Sequence, residues 1–112
     1  MINNTVLVGR MVKDPELHET ENGNKVTNIV LAVPRTYKNV DGEYETDFIP
    51  CTLWKGIAEN TSEYVKKGDL LGVKGHLQSK NLDIDGEHFT QIVEFVAERV
   101  TFLTSKKTEE VD

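Results

Sequence analysis

A single cysteine, Cys51, cannot form an internal disulfide, so the 112-residue chain must hold itself together by burying a core. The opening "MINNTVLVGR" lacks the basic start and long apolar stretch of a signal peptide, and together these absences point to a reducing cytoplasm. No apolar run approaches the roughly 20 residues that a membrane-spanning helix needs. His18, His76 and His88 are scattered and Cys51 stands alone, so no metal site is expected. A glycine-rich phosphate loop, a nucleophile elbow and a local pair of acid/base carboxylates are all missing. The expectation is a protein that is not an enzyme and carries no cofactor. Basic residues are also short, 13 Lys and Arg against 19 Asp and Glu, for a net charge of −6. That total opposes a polyanionic partner. A local groove can still be basic on an acidic protein, so the distribution of charge matters more than its sum.

What is present has the length of one domain. "TVLVGR" (5–10) is β-rich and closes on glycine, and the Asp14-Pro15 pair marks a bend. "ENGN" (21–24) and Asp41-Gly42 are hairpin-turn signals. Between them, "KVTNIVLAV" puts Thr27, Ile29, Leu31 and Val33 on one face and leaves Val26, Val30 and Ala32 on the other. A strand apolar on both faces is expected to be covered on both, by the core and by a partner subunit. The one helix predicted, "GIAENTSEYVKKG", carries Ile57, Thr61, Tyr64 and Val65 at helical spacing and stops at Gly68, with Tyr64 read as core and Lys66 and Lys67 as favourable to the helix dipole. "DLLGVKGHLQSKNL" reads as a strand with Lys74, His76, Gln78, Lys80 and Leu82 on its outer face. "DIDG" then turns the chain into "EHFTQIVEFVAERVTFL", one long strand or two with a kink. Three strands, one short helix and two strands fit an all-β, five-stranded Greek-key barrel of the OB-fold type, whose helix falls between strands three and four. The domain is expected over residues 1–104, with a short polar tail at 105–112.

The third strand, "YETDFIPCTLWK" (44–55), poses a question of parity. Successive side chains of a strand point to opposite faces. If Ile49, Cys51 and Leu53 close the core, then Phe48 and Trp54 face outward, with Tyr37 and Tyr44 on the hairpin that feeds them. Arg10, Arg35, Lys38, Lys74 and Lys80 lie near that face. Exposed aromatics among cations suit single-stranded nucleic acid, because every base offers a flat π-face to stack on and cations track the phosphates. The alternative is a protein-interaction face, with the aromatics covered by a partner or by another subunit.

The motifs "VLVGRMVKDPEL", "NGNKVTNIVLAV", "DFIPCTLWKG", "AENTSEYVKKGDLLGVKGHLQSK" and "VAERVTFL" occur in an order and spacing that resembles the bacterial and phage single-stranded DNA-binding proteins, most closely the short Gram-positive or phage members. The resemblance runs over about residues 4–103. It implies an OB-fold subunit of a homotetramer that binds single-stranded DNA in replication, recombination or repair, with little sequence preference, no catalysis and no cofactor. The family's stacking positions match Tyr37, Phe48 and Trp54. A fourth matches Leu82, which has no π-face, and Gln78 stands where arginine is frequent. Phosphate contacts are assigned to Arg10, Arg35, Lys38, Lys55, Lys74 and Lys80. Pro50, outward between Phe48 and Trp54, removes a backbone donor and is expected to disturb the local ladder. The ending "SKKTEEVD" does not resemble the long linker and acidic tip through which many relatives recruit replication enzymes. A dimeric, primosome-type OB-fold protein is the nearest alternative reading.

Overall fold

In a computed structural model of the chain, residues 1–104 are described; the tail expected at 105–112 lies outside them. Six strands and one helix follow in the order β1 (Thr5–Met11), β2 (His18–Glu19), β3 (Lys25–Lys38), β4 (Tyr44–Trp54), α1 (Lys55–Tyr64), β5 (Leu70–Asp83) and β6 (Phe89–Phe102). The two-residue β2, which pairs with Val26 and Lys25, has too short a pattern to be visible in the sequence.

Five strands close on themselves. β1 pairs antiparallel with β5 along Thr5–Arg10, and with β3 at Arg10 and Met11. β3 continues to β4, β4 to β6 in parallel, and β6 back to β5. The ring β1–β3–β4–β6–β5 is the OB-fold barrel that the element order predicts. Closure buries one set of alternating side chains: Ile29 and Leu31 from β3, Cys51 and Leu53 from β4, Leu71 and Val73 from β5, Phe95 and Ala97 from β6. Ala58, Thr61 and Val65 carry α1 and its exit onto this core.

The helix is shorter than its periodicity predicts. It ends at Tyr64, and Val65 is already extended, its N–H bonding the Thr61 carbonyl at 3.0 Å. Asp69 explains the early stop. Its carboxylate accepts the Lys66 N–H at 2.9 Å and its own N–H reaches the Lys66 carbonyl at 3.0 Å, closing a turn around Gly68 at φ +90°. Lys66 and Lys67 therefore lie in this turn, beyond the helix. Tyr64, expected in the core, is exposed and lies 6.3 Å from the Phe102 ring; Val65 takes the buried place.

β6 is one strand with a kink. Between Lys74/Arg99 and Gly75/Ala97 the register slips by one residue, so Glu98 is the extra residue of a bulge. The kink brings β6 against Gly75, where an added Cβ would run into the Val96 carbonyl and sit 2.8 Å from the Phe95 ring. Gly75→Ala is therefore expected to destabilise the fold by at least about 2 kcal/mol, since backbone must move to admit the methyl. Urea unfolding followed by Trp54 fluorescence checks this.

Candidate nucleic-acid interface

The parity of β4 is as its sequence predicts. Cys51 and Leu53 are sealed in the core and Ile49 is half-buried, while Phe48 is 63% and Trp54 38% exposed. Pro50 is exposed between them and the ladder passes it without a slip: Val26–Pro34 and Thr46–Trp54 stay in continuous register. The reason lies in the alternation of antiparallel pairs. Val30, opposite Pro50, turns its carbonyl to the Val12 N–H on the β1 side at 3.1 Å. Val30/Pro50 is therefore a pair that exchanges no hydrogen bonds, and proline removes nothing from it. The expected disturbance sits elsewhere, between Pro34 and Lys38, where β3 carries two more residues than β4.

Tyr37 lies in that bulge and is 63% exposed. The register does not bring it into line with Phe48; its ring instead lies 5.9 Å from the Arg35 guanidinium. Arg35 grips Asp47 with two prongs, Nε to Oδ2 at 3.0 Å and Nη2 to Oδ1 at 2.9 Å, and reaches Glu45 Oε2 through Nη1 at 2.7 Å. That hydrogen bonding holds the Asp47 carboxyl below its usual range and pushes the guanidinium up. Lys38 lies 5.7 Å from the Tyr44 ring.

The face continues beyond β4. Register carries the outward side from Thr52 to Val96 and then to His76, and onward to Gln78, Lys80 and Leu82 on β5. A row of polar groups crosses it. Thr52 Oγ1 lies 3.1 Å from Asn28 Oδ1 and 2.9 Å from Glu94 Oε2, and Gln78 Nε2 donates to Glu94 Oε1 at 3.3 Å. His76 lies between Gln78 Oε1 at 3.1 Å and Glu98 Oε2 at 2.6 Å, and Lys74 Nζ donates to Glu98 Oε1 at 3.1 Å. Both ring nitrogens of His76 thus face acceptors, which favours the doubly protonated ring. The bond to Glu98, then that to Gln78, raises the His76 pKa, and His76 followed by Lys74 lowers that of Glu98. This row was not anticipated, because its members are ordinary polar residues that only the register aligns.

The expected cations therefore differ in freedom. Arg35 and Lys74 are engaged by carboxylates, and Arg10 donates to the Gly68 carbonyl at 3.1 Å. Among the described residues, no carboxylate lies within ion-pair distance of Lys38, Lys55 or Lys80. Lys55, directly after Trp54, sits at φ +55°, a left-handed conformation that non-glycine residues rarely adopt. Leu82 is exposed on the β5–β6 arm, opposite Thr90. Cys51 offers no chemistry here, since burial pushes its thiol up to about 12. Among the described residues no three metal-ligating side chains converge, and no helix is long and apolar enough to cross a membrane.

The sequence profile of the Single-strand binding protein family matches residues 2–103. The chain belongs to that family. It is 47% identical over 107 residues to "Single-stranded DNA-binding protein 3" of Listeria innocua, covering 96% of this chain and 67% of the relative. Bacillus subtilis supplies two more relatives. "Single-stranded DNA-binding protein A" is 47% identical, over 95% of this chain and 62% of its own length. "Single-stranded DNA-binding protein B" is 41% identical, over 97% of this chain and 96% of its own. The chain thus spans about two thirds of the first two of these relatives and nearly the whole of the third. Membership in this non-catalytic, DNA-binding family accords with the OB barrel and the outward aromatics of β4.

Two outcomes follow from the geometry. Lys55→Gly relieves the left-handed strain and is expected to raise stability by about 1 kcal/mol, measured by urea unfolding. His76 carries the opposite kind of dependence, on pH. Its folded pKa lies above the ordinary 6.5, so its contribution is complete below pH 6.5 and is lost as pH rises through the folded value. His76→Gln should lower the melting temperature most below pH 6.5, with the gap to the parent closing at higher pH.

Proposed function

We propose that this protein binds single-stranded DNA with little sequence preference, bases stacking on Phe48 and Trp54 of β4 and on Tyr37 at the bulge. The observation that carries the reading is the exposure of Phe48 and Trp54 on the outer face of one strand in a member of the single-strand binding family. A soluble barrel gains nothing by leaving two large aromatics wet, whereas a base stacked on each completes their burial at about 1–3 kcal/mol per base. Lys38, Lys55 and Lys80 hold phosphates, and Arg10 and Lys74 add positive charge while keeping their partners within the fold. The relatives' names state the same binding activity for those proteins.

The working form is a homotetramer in the cytoplasm that coats and straightens single strands exposed in replication, recombination and repair. Two features support assembly. Val6 and Val8 are exposed on the outer face of β1, and β3 covers the other edge of β1 only at Arg10 and Met11. An apolar strand with an open edge is a ready template for pairing with a second copy.

Trp54 is the only tryptophan, which makes it both ligand and reporter. Its emission should be strongly quenched by oligo-dT at modest salt, and unchanged emission at saturating oligonucleotide would overturn the stacking model. Phe48→Ala, read through Trp54, should weaken binding to several unrelated sequences about equally, by roughly 1–3 kcal/mol. Sedimentation should show a species of four 12.7-kDa chains.

A further inference from the structure

Arg35 looks at first like one more phosphate ligand, but its surroundings describe another task. Three of the five N–H groups of its guanidinium are spent on Asp47 and Glu45. Both carboxylates belong to β4, and Asp47 immediately precedes Phe48. Glu45 passes the connection on: its other oxygen accepts the Asn39 amide at 3.2 Å, and Asn39 Oδ1 accepts the backbone N–H groups of Asp41 at 2.9 Å and Glu43 at 3.0 Å. This chain of side chains runs from Arg35 to the tip of the β3–β4 hairpin. It spans the stretch between Pro34 and Lys38 where the backbone register slips. The Tyr37 ring lies against the same guanidinium.

Two-pronged arginine–carboxylate pairs are the geometrically specific kind of ion pair. Asp47 and Glu45 share the parity of Ile49 and Cys51, so their carboxylates lie on the reverse of the stacking strand; removing the cation would leave two negative charges there with no counter-charge, one strand's thickness from an approaching polyanion. It would also release the side-chain chain that bridges the bulge. We propose that Arg35 is a positioning residue of the DNA surface, which acts through Asp47 and Glu45: it cancels their charge on the reverse of β4, behind Phe48, and fixes the bulge that carries Tyr37. This rests on the single-stranded DNA-binding reading above.

A double-mutant cycle separates this role from direct phosphate contact. Oligo-dT affinity is read by Trp54 fluorescence for the parent, Arg35→Ala, Asp47→Asn and the double variant, which has the parent's net charge. Positioning through Asp47 makes the aspartate harmful only when the arginine is gone. Arg35→Ala should then weaken binding by about tenfold, Asp47→Asn alone should change it by less than about twofold, and adding Asp47→Asn to Arg35→Ala should recover at least about fivefold. Arg35→Gln, which keeps most of the side-chain stem, runs in parallel in case the alanine variant folds poorly. Equal effects of Asp47→Asn with and without Arg35, or parent-like binding by both Arg35 variants, would overturn the proposal while leaving DNA binding intact. Failure of the parent to bind oligo-dT would overturn both.

Discussion

The strict two-residue alternation of an extended chain, imposed on a barrel too small for a second core, is the constraint from which the rest follows. Ile29, Leu31, Cys51, Leu53, Leu71 and Val73 fill the interior, and a slip of one residue in any of these strands would exchange its buried and exposed sets. With Cys51 and Leu53 committed inward, Phe48 and Trp54 have only the outer face. The proposed binding surface is thus the obligatory reverse of the core. This also explains how Pro50 is tolerated: the same alternation gives it a position whose nitrogen faces no acceptor on β3.

The β5–β6 arm obeys the alternation without a core to reward it. Past Leu77 and Phe95 it leaves the barrel, and Leu82 and Ile92 on one face and Phe89 and Val93 on the other are all exposed. A two-stranded ribbon is marginal alone, and its tip is held by short polar links. Asp83 accepts the Gly86 N–H at 2.6 Å, and Asp85 accepts the N–H groups of Glu87 and His88 at 3.0 and 2.8 Å. The His88 ring, its Nδ1 2.9 Å from Oδ2, and then these backbone bonds keep the Asp85 carboxyl below its usual range. Leu82 therefore brings apolar area, on an arm with an acidic tip, where an aromatic would bring a π-face. The proposed stacking surface is therefore concentrated on β4 and the bulge.

Much of this was legible in the residues, for reasons that can be stated. Gly23, Gly42 and Gly86 all sit at positive φ in hairpin turns where the turn signals placed them, because such turns depend on a few local residues. The buried face of β4 and the helix between the third and fourth barrel strands were equally readable, since periodicity is local. The misreadings needed information from far along the chain. The helix stops early because of an aspartate one residue past Gly68, and Tyr64 yields its core place to Val65 as a result. Arg35 reads as a free cation until the pairing of β3 with β4, which sets Val33 opposite Asp47, brings its guanidinium to that carboxylate. The row from Asn28 to Lys74 joins residues of β3, β4, β5 and β6 that no window of sequence contains together.

The net charge of −6 seemed to oppose a polyanionic ligand, and the structure shows why a sum misleads. The acidic side chains of β4 and of the polar row are each occupied. Asp47 and Glu45 are held by Arg35, Glu98 by His76 and Lys74, and Glu94 by Thr52 and Gln78. A carboxylate paired at hydrogen-bond distance presents a short-range dipole to a passing phosphate, and salt screens what remains within roughly a Debye length of 8 Å. Among the described residues Lys38, Lys55 and Lys80 have no such partner, so positive charge is left at the face although the whole-protein total is negative. Stacking is indifferent to either sum. A family member can therefore be acidic overall and still present a face of exposed aromatics and of lysines that, among the described residues, have no carboxylate at ion-pair distance.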